Sequence, residues 1–315
     1  MFKFIVKRIL SAIPVLLIVV FITFFLMRML PGDVAVQILG HDAPPGDLEI
    51  LRETLGINEP KLVQFWDYIQ GILHGDLGTS LYNNLPVMEN IRNSLEPTIL
   101  IMIFSILISV VVGIPVGVIS AVHRNSILDY LLMTVSVFGL SIPVFWSGIM
   151  LAYYVGTLWG VLPNMYYYPI SQVGLGQAIQ YVILPSVALG FQSVASIARY
   201  TRSTMLDTLG EDYIRTARAK GLAERVVLYQ HALKNAMSPV ITHIGTNMAS
   251  LMGGACVIET VFGINGMGKL AYDSLIRRDY TQVQAIILVV ALVYIVINLV
   301  VDILYKVFDP RVELS

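Results

Sequence analysis

Glu211–Pro239, EDYIRTARAKGLAERVVLYQHALKNAMSP, is the longest strongly polar passage in the second half of the chain, and apolar segments flank it on both sides. Asp212 is placed to cap a short helix, Ala217 and Ala219 favour its continuation, and Gly221 offers a C′ position. A second helical run carries Val226, Val227, Leu228 and Leu233 among polar residues. Ser238-Pro239 then reads as N-cap and N1 of a new, apolar helix. Arg215, Arg218, Lys220, Arg225 and Lys234 make the passage basic. A basic helix–Gly–helix between two apolar segments is a docking element for a partner on the cytoplasmic side of a membrane.

Composition supports the membrane setting. Hydrophobic residues make up 56% of the chain and charged residues 13%, and the mean hydropathy is +0.75. Soluble domains carry about 45–50% apolar and about 25% charged residues. The net charge of −1 and the lack of a long basic tract give no footing for nucleic acid. Cys256 is the single cysteine, so no intrachain disulfide forms. Lys3, Lys7 and Arg8 precede an apolar run that continues to Leu30 without a small-residue cleavage site, which reads as a retained first span.

Apolar runs long enough to cross a bilayer, about 20 residues, lie near 9–30, 97–121, 128–158, 179–203, 237–260 and 283–307. The expectation is an all-α polytopic protein with six spans. Its parts are 1–30 (N-terminus and first span), 31–96 (an extracytoplasmic helical loop) and 97–315 (a five-span core containing a cytoplasmic loop, 205–236). Basic residues before span one, His123 and Arg124 after span two, the passage after span four, and Lys306 and Arg311 after span six share one side if both termini are cytoplasmic.

The run Tyr213-Ile-Arg-Thr-Ala-Arg-Ala-Lys-Gly221-Leu, followed by His231-Ala-Leu-Lys-Asn-Ala236 and Pro239, resembles the EAA loop of ABC importer permeases. It is closest to the dipeptide/oligopeptide/nickel branch, where Arg215-Thr216-Ala217 stand in the places of the general Glu-Ala-Ala. The resemblance implies a type I importer permease in the bacterial inner membrane. Glu211, Tyr213, Arg215, Ala217, Arg218, Gly221 and His231 would form the loop that fits a cleft on an ATP-hydrolysing subunit. It also implies the partners: a second homologous permease, two ATP-binding subunits that hold ATP and Mg²⁺, an extracytoplasmic solute-binding protein and membrane lipid. No cofactor or catalytic residue is expected in this chain.

The loop from Pro31 to Glu96 is long and acidic. Asp47–Leu55 reads as a short helix closed by Gly56, Pro60 opens a second, and Pro86 starts a third. Leu62, Phe65, Trp66, Ile69, Ile72 and Leu73 recur at helical spacing in the second. This stripe packs on span ends or serves as a platform for a binding protein. Gly75-Asp-Leu-Gly78-Thr-Ser80 again resembles the peptide-permease family, in the subunit with a large outer loop between spans one and two.

Gly113-Ile-Pro-Val-Gly117 in span two allows close helix approach. Span three carries Ser141-Ile-Pro143 and ends in Trp146, Trp159 and Tyr166–Tyr168, an interfacial belt. Gln192, Ser196 and Arg199 share one face of span four, and His243, Asn247, Ser250 and Gly254 share one face of span five. Polar groups there line a path or bond helix to helix. His243 has no second ligand at metal spacing, so no metal site is expected. Gly263–Lys269 fits the first seven positions of the phosphate-binding G-x-x-x-x-G-K-[ST] loop, but Leu270 replaces the required hydroxyl. The stretch reads as a decoy. It resembles instead the family's Glu-Thr-Val-Phe…Gly-x-Gly string, which extends to Arg278-Asp-Tyr and Gln282, and Asp309-Pro-Arg-Val312 also matches the family. Two function classes follow: a non-catalytic permease subunit of an ATP-driven importer for peptides or a related small solute, or a secondary transporter, channel or intramembrane enzyme. The second class would show inverted repeats and broken helices with coupling-ion carboxylates at mid-membrane, or a catalytic constellation. The sequence displays neither, and the basic helix–Gly–helix favours the importer.

Overall fold

The structure, a computed structural model, describes residues 2–29, 33–40, 42–54 and 56–308. Leu55, Arg311 and the Asp309–Val312 string lie outside the described residues. In chain order the helices are α1 (Phe2–Met29), α2 (Val34–Leu39), α3 (Pro45–Thr54), α4 (Lys61–Leu73), α5 (Val87–Val122), α6 (Ile127–Ser141), α7 (Val144–Leu151, continued by a wide π turn over Ala152–Leu158) and α8 (Ile170–Val173). There follow α9 (Leu175–Leu209), α10 (Asp212–Ala219), α11 (Glu224–Val226, continued by a π turn over Val227–Leu233), α12 (Lys234–Val261), α13 (Met267–Ile276) and α14 (Tyr280–Phe308).

Among the described residues four helices are long and apolar enough to cross a membrane: Ile5–Met29 within α1, α5, α9, and Tyr280–Ile303 within α14. A fifth exists if α6 and α7 count as one span, although they meet at a 100° bend. The expected straight span over 128–158 is thus broken at Ile142-Pro143. Pro143 brings no N–H to the helix, and the residue before a proline is pushed out of the α region; Ile142 sits at φ −77, ψ 124. α12 is 28 residues long, but its shorter apolar part is Ser250–Val261. Thr242, His243, Thr246 and Asn247 dilute its first half.

Three local boundaries differ from expectation. The helix foreseen at Pro86 is not separate: α5 runs 36 residues with Pro97 and Pro115 inside it. A proline costs one hydrogen bond but already has helical φ, so the apolar run on either side carries the helix through. Ser238-Pro239 likewise starts nothing, because the π turn over Val227–Leu233 feeds directly into α12 with Pro239 inside. Asp212 is the first helical residue rather than a side-chain cap; Glu211 is the N-cap and makes no capping side-chain bond.

The chain divides into two compact units. The first takes the chain up to Ser94 and Leu270–Ile295. Its centre is Phe24 of α1, fully buried, with the Phe65 ring centroid of α4 at 5.1 Å and that of Tyr68 at 5.8 Å. Only part of the expected α4 stripe is used: Leu62, Trp66 and Leu73 are exposed. The two family-like strings meet in this unit. The Ser80 hydroxyl donates to Asp279 at 2.5 Å, Asn90 donates to Gln282 at 2.8 Å, and a Cβ on Gly78 would lie 2.8 Å from Thr281.

The second unit takes Leu95–Lys269 and the chain from Val296. Its axis is α9, which packs on α5 through backbone-close contacts. A Cβ added at Gly117 would sit 2.5 Å from the Ala198 carbonyl, and one at Gly190 2.9 Å from the Ser105 carbonyl. Buried serines complete the seam: Ser105 donates to Ser186 O at 3.1 Å and Ser109 to Gly190 O at 3.1 Å. α9 also packs on α6, α7 and α12, around Val182, Leu189, Leu251, Ile258 and Phe262.

Candidate functional site: the helix–Gly–helix and the α9–α12 face

α10 has two unlike faces. Ile214 is fully buried and Ala217 nearly so. They pack with Val118 and Ala121 of α5, Met205 of α9, and Val227, Ala232 and Ala236. Tyr213, Arg215 and Arg218 lie on the exposed side. Of the residues expected to meet a partner, Ala217 therefore faces the chain's own core, while Ile214, absent from that expectation, is the anchor. Its spacing of three from Ala217 was the available signal.

The helix ends in a complete Schellman closure. Gly221 N–H bonds to Arg218 O at 2.9 Å and Leu222 N–H to Ala217 O at 3.4 Å, the two bonds that motif requires with its C′ residue left-handed. Gly221 has φ +79, and a Cβ there would meet nothing within 4 Å, so only the backbone demands glycine. Across this turn the Arg218 guanidinium grips Glu224 at 2.7 and 3.2 Å. That partner holds the Glu224 carboxyl below the usual carboxylate range, and the carboxylate in turn raises Arg218. Both groups are largely solvated, so the clasp contributes at most about 1 kcal/mol. Arg215 sits 3.3 Å from Asp212. His231 lies on the π turn, its carbonyl accepting from Asn235, whose amide also reaches the Tyr213 hydroxyl at 3.0 Å. The start of α10 is thereby tied to the start of α12.

The α9 and α12 polar faces meet. The Ser196 hydroxyl and His243 Nε2 are 2.9 Å apart, and the Tyr200 ring stacks on His243 at 4.2 Å. Asn247 donates to the His243 carbonyl at 3.1 Å. Gln192 is used differently: its amide donates to Ile142 O at 2.8 Å, satisfying a carbonyl freed by the break before Pro143. Ser250 is exposed. The structure thus joins Ser196 to His243 across the two helices, ties Asn247 to the backbone of its own helix, and leaves Gln192 and Ser250 apart from them.

Two buried clusters join residues that lie far apart in the chain. Asp129, at the start of α6, accepts from Arg202 of α9 through Nε and Nη2, both at 2.7 Å, from Asn125 N at 3.0 Å and from the Ser120 hydroxyl. Glu259, fully buried, accepts from Thr98 at 2.5 Å, from Lys269 N–H at 2.8 Å and from the Gly268 backbone. These N–H groups open α13, where the sequence imitates a phosphate loop. The chain's own carboxylate occupies the donors that a phosphate would need. Among the described residues no group of three His, Cys, Asp or Glu side chains is arranged to hold a metal.

Membrane-length apolar helices and a basic helix–Gly–helix whose buried side packs on α5 and α9 suit an importer permease. Residues 113–314 match the model of binding-protein-dependent transport system inner membrane components, and residues 1–102 match the N-terminal model of the same membrane components. The chain belongs to that family and is an ABC importer permease of its peptide branch. It is 41% identical to a dipeptide transport system permease protein, DppB, of Alkalihalophilus pseudofirmus, covering 99% of this chain and 100% of that one. It is 42% identical to a glutathione transport system permease protein, GsiC, of Escherichia coli O6:H1, with 99% of each covered. Among solved structures, the inward-facing MetNI methionine ABC transporter superposes with a TM-score of 0.57 at 19% identity, over 70% of this chain and 97% of that one. That likeness concerns the fold.

Proposed function

We propose that this chain carries di- or tripeptide-sized solutes across the bacterial inner membrane as one half of a two-permease path. It performs no covalent chemistry. With the bent α6–α7 pair and α12 each counted as a span, and with both termini cytoplasmic, α10 and the turn after Gly221 lie inside the cell, against one of two ATP-binding subunits that hold ATP and Mg²⁺; a solute-binding protein delivers cargo outside. The observation that carries this reading is the split of α10 into an inner face locked by Ile214 and Ala217 and an outer face of Tyr213, Arg215 and Arg218. A push on the outer face is passed to α5 and α9 because the inner face has no slack. Ser196, His243 and Asn247 line the path, with Gln192 and Ser250 at its margins. The solute class is supported by the dipeptide and glutathione permeases to which the chain is similar.

Gly221→Val tests the lever. A β-branched residue at φ +79 costs about 1–3 kcal/mol of backbone strain, which leaves the spans inserted but tilts α10. Expected in reconstituted vesicles are intact insertion and a loss of peptide moved per ATP of at least tenfold. Normal coupling would show that the loop is a solvated connector. Orientation is tested by single cysteines at Asn83 and Asn125 in a Cys256→Ala background. An impermeant reagent outside intact cells should label the first alone; labelling of both would end the six-span reading.

A further inference from the structure

The first unit holds a cavity of about 380 Å³ walled by α1, α2, α3, α4 and the start of α14, within the ~300–1,000 Å³ of small-molecule sites. Arg28, Asp33, Arg52, Gln64, Thr281 and Gln284 line it. Two guanidiniums therefore face it against one carboxylate. Arg52 is consumed: it lies 2.5 Å from Asp33 and 2.9 Å from Glu49. Arg28 is different. Its Nε donates to Gln64 Oε1 at 2.8 Å, and its guanidinium carbon lies 3.5 Å from the Phe24 ring centroid. Gln64 is itself fixed by the carbonyls of Ile57 and Glu59 at 3.0 and 2.8 Å. Among the described residues no carboxylate stands within ion-pair distance of Arg28. A guanidinium held by stacking and by one Nε bond, with its Nη edge unused by any described residue, has the geometry that binds a carboxylate through two parallel bonds. Gln284, 4% exposed, adds a second signal: among the described residues its Nε2 has no hydrogen-bond partner. A buried donor without an acceptor is costly, and native structures rarely keep one without a use.

We infer that this cavity binds a small solute bearing a carboxylate, with Arg28 as the anchor and the Gln284 amide as a second donor. The site lies wholly within the first unit and goes beyond the α9–α12 path, so it stands or falls separately from the importer reading. An anionic lipid headgroup offers related oxyanion chemistry, and the test separates the two sources.

The test uses the purified full chain in phosphatidylcholine nanodiscs, titrated calorimetrically with glycylglycine and with glycylglycinamide, which lacks the carboxylate. Saturable binding of glycylglycine is expected, at least tenfold tighter than that of the amide. Arg28→Met should weaken it at least tenfold. Gln284→Glu, which keeps the shape and supplies a carboxylate from the chain itself, should abolish it and raise the thermal midpoint of the protein. Adding phosphatidylglycerol to the disc should leave glycylglycine affinity unchanged. Absence of saturable binding, equal affinity for the amide, or wild-type affinity in Gln284→Glu overturns the assignment. Competition by phosphatidylglycerol would overturn it in favour of a lipid site.

Discussion

Asp129→Asn removes a charge from the tightest polar junction of the second unit. The Asp129 side chain is 2% exposed and faces Arg202, which is 25% exposed, at 2.7 Å. Four donors converge on its two oxygens. Asparagine keeps the shape but turns one oxygen into an NH₂ group, setting donor against donor, and leaves the Arg202 charge unpaired. Breaking a buried pair costs about 3–5 kcal/mol. Arg202 keeps a quarter of its side chain accessible and rehydrates in part, so a smaller loss of about 2–3 kcal/mol is expected. Unfolding of the purified protein in mixed micelles by increasing SDS fraction measures it. The partner experiment is Asp129→Leu with Arg202→Met, which removes both charges and should recover most of the loss. A coupling energy near 2 kcal/mol in the double-mutant cycle is expected. A loss below about 0.5 kcal/mol for Asp129→Asn, the range of ordinary surface changes, would refute the claim that this pair staples α6 to α9.

Other outcomes follow from single contacts. Gly117→Ala drives a methyl to 2.5 Å from the Ala198 carbonyl and should cost about 1–3 kcal/mol in the same assay, whereas Gly253→Ala, with nothing within 4 Å, should be near neutral. Lys269→Ala should leave the ATP affinity of the assembled importer unchanged, because Glu259 fills the imitation phosphate loop; a tenfold loss, about 1.4 kcal/mol, would contradict that. The α2–α3 clasp should be acid-labile. Hydrogen bonding from Arg52 holds Asp33 and Glu49 below their ordinary values, so their contribution is complete above the unfolded value, about pH 4, and fades as pH falls through the depressed folded values. Proteolysis within residues 33–58 should accelerate only in that acid window, and equal cleavage from pH 3 to 7 would count against the clasp.

What the sequence disclosed was local. Hydrophobic run lengths placed the apolar helices, and one glycine after a basic helix marked a turn that proved to be a full Schellman closure. Gly113 and Gly117 announced the close α5–α9 approach. Periodicity could not reveal Asp129 with Arg202, Ser80 with Asp279, or Glu259 with Thr98, because each pair joins residues 73, 199 or 161 positions apart. The pattern of any one helix contains no trace of its partner. The 100° bend was hidden for a different reason: Pro143 lies in an unbroken apolar run, and hydropathy is blind to direction. The α4 stripe misled in the opposite sense, since helical spacing identifies a face without saying that anything covers it.

The seal at the α6–α7 break bears on where the work of transport originates. Carriers driven by ion gradients use unwound helices as ligands, with bare carbonyls replacing the hydration shell of the coupling cation. Here the interruption is closed from within: the Ile142 carbonyl is already held by the Gln192 amide at 2.8 Å. A discontinuity that in another carrier would be an ion seat is here a joint. It lets the chain change direction between α6 and α7 while offering a passing cation one fewer oxygen.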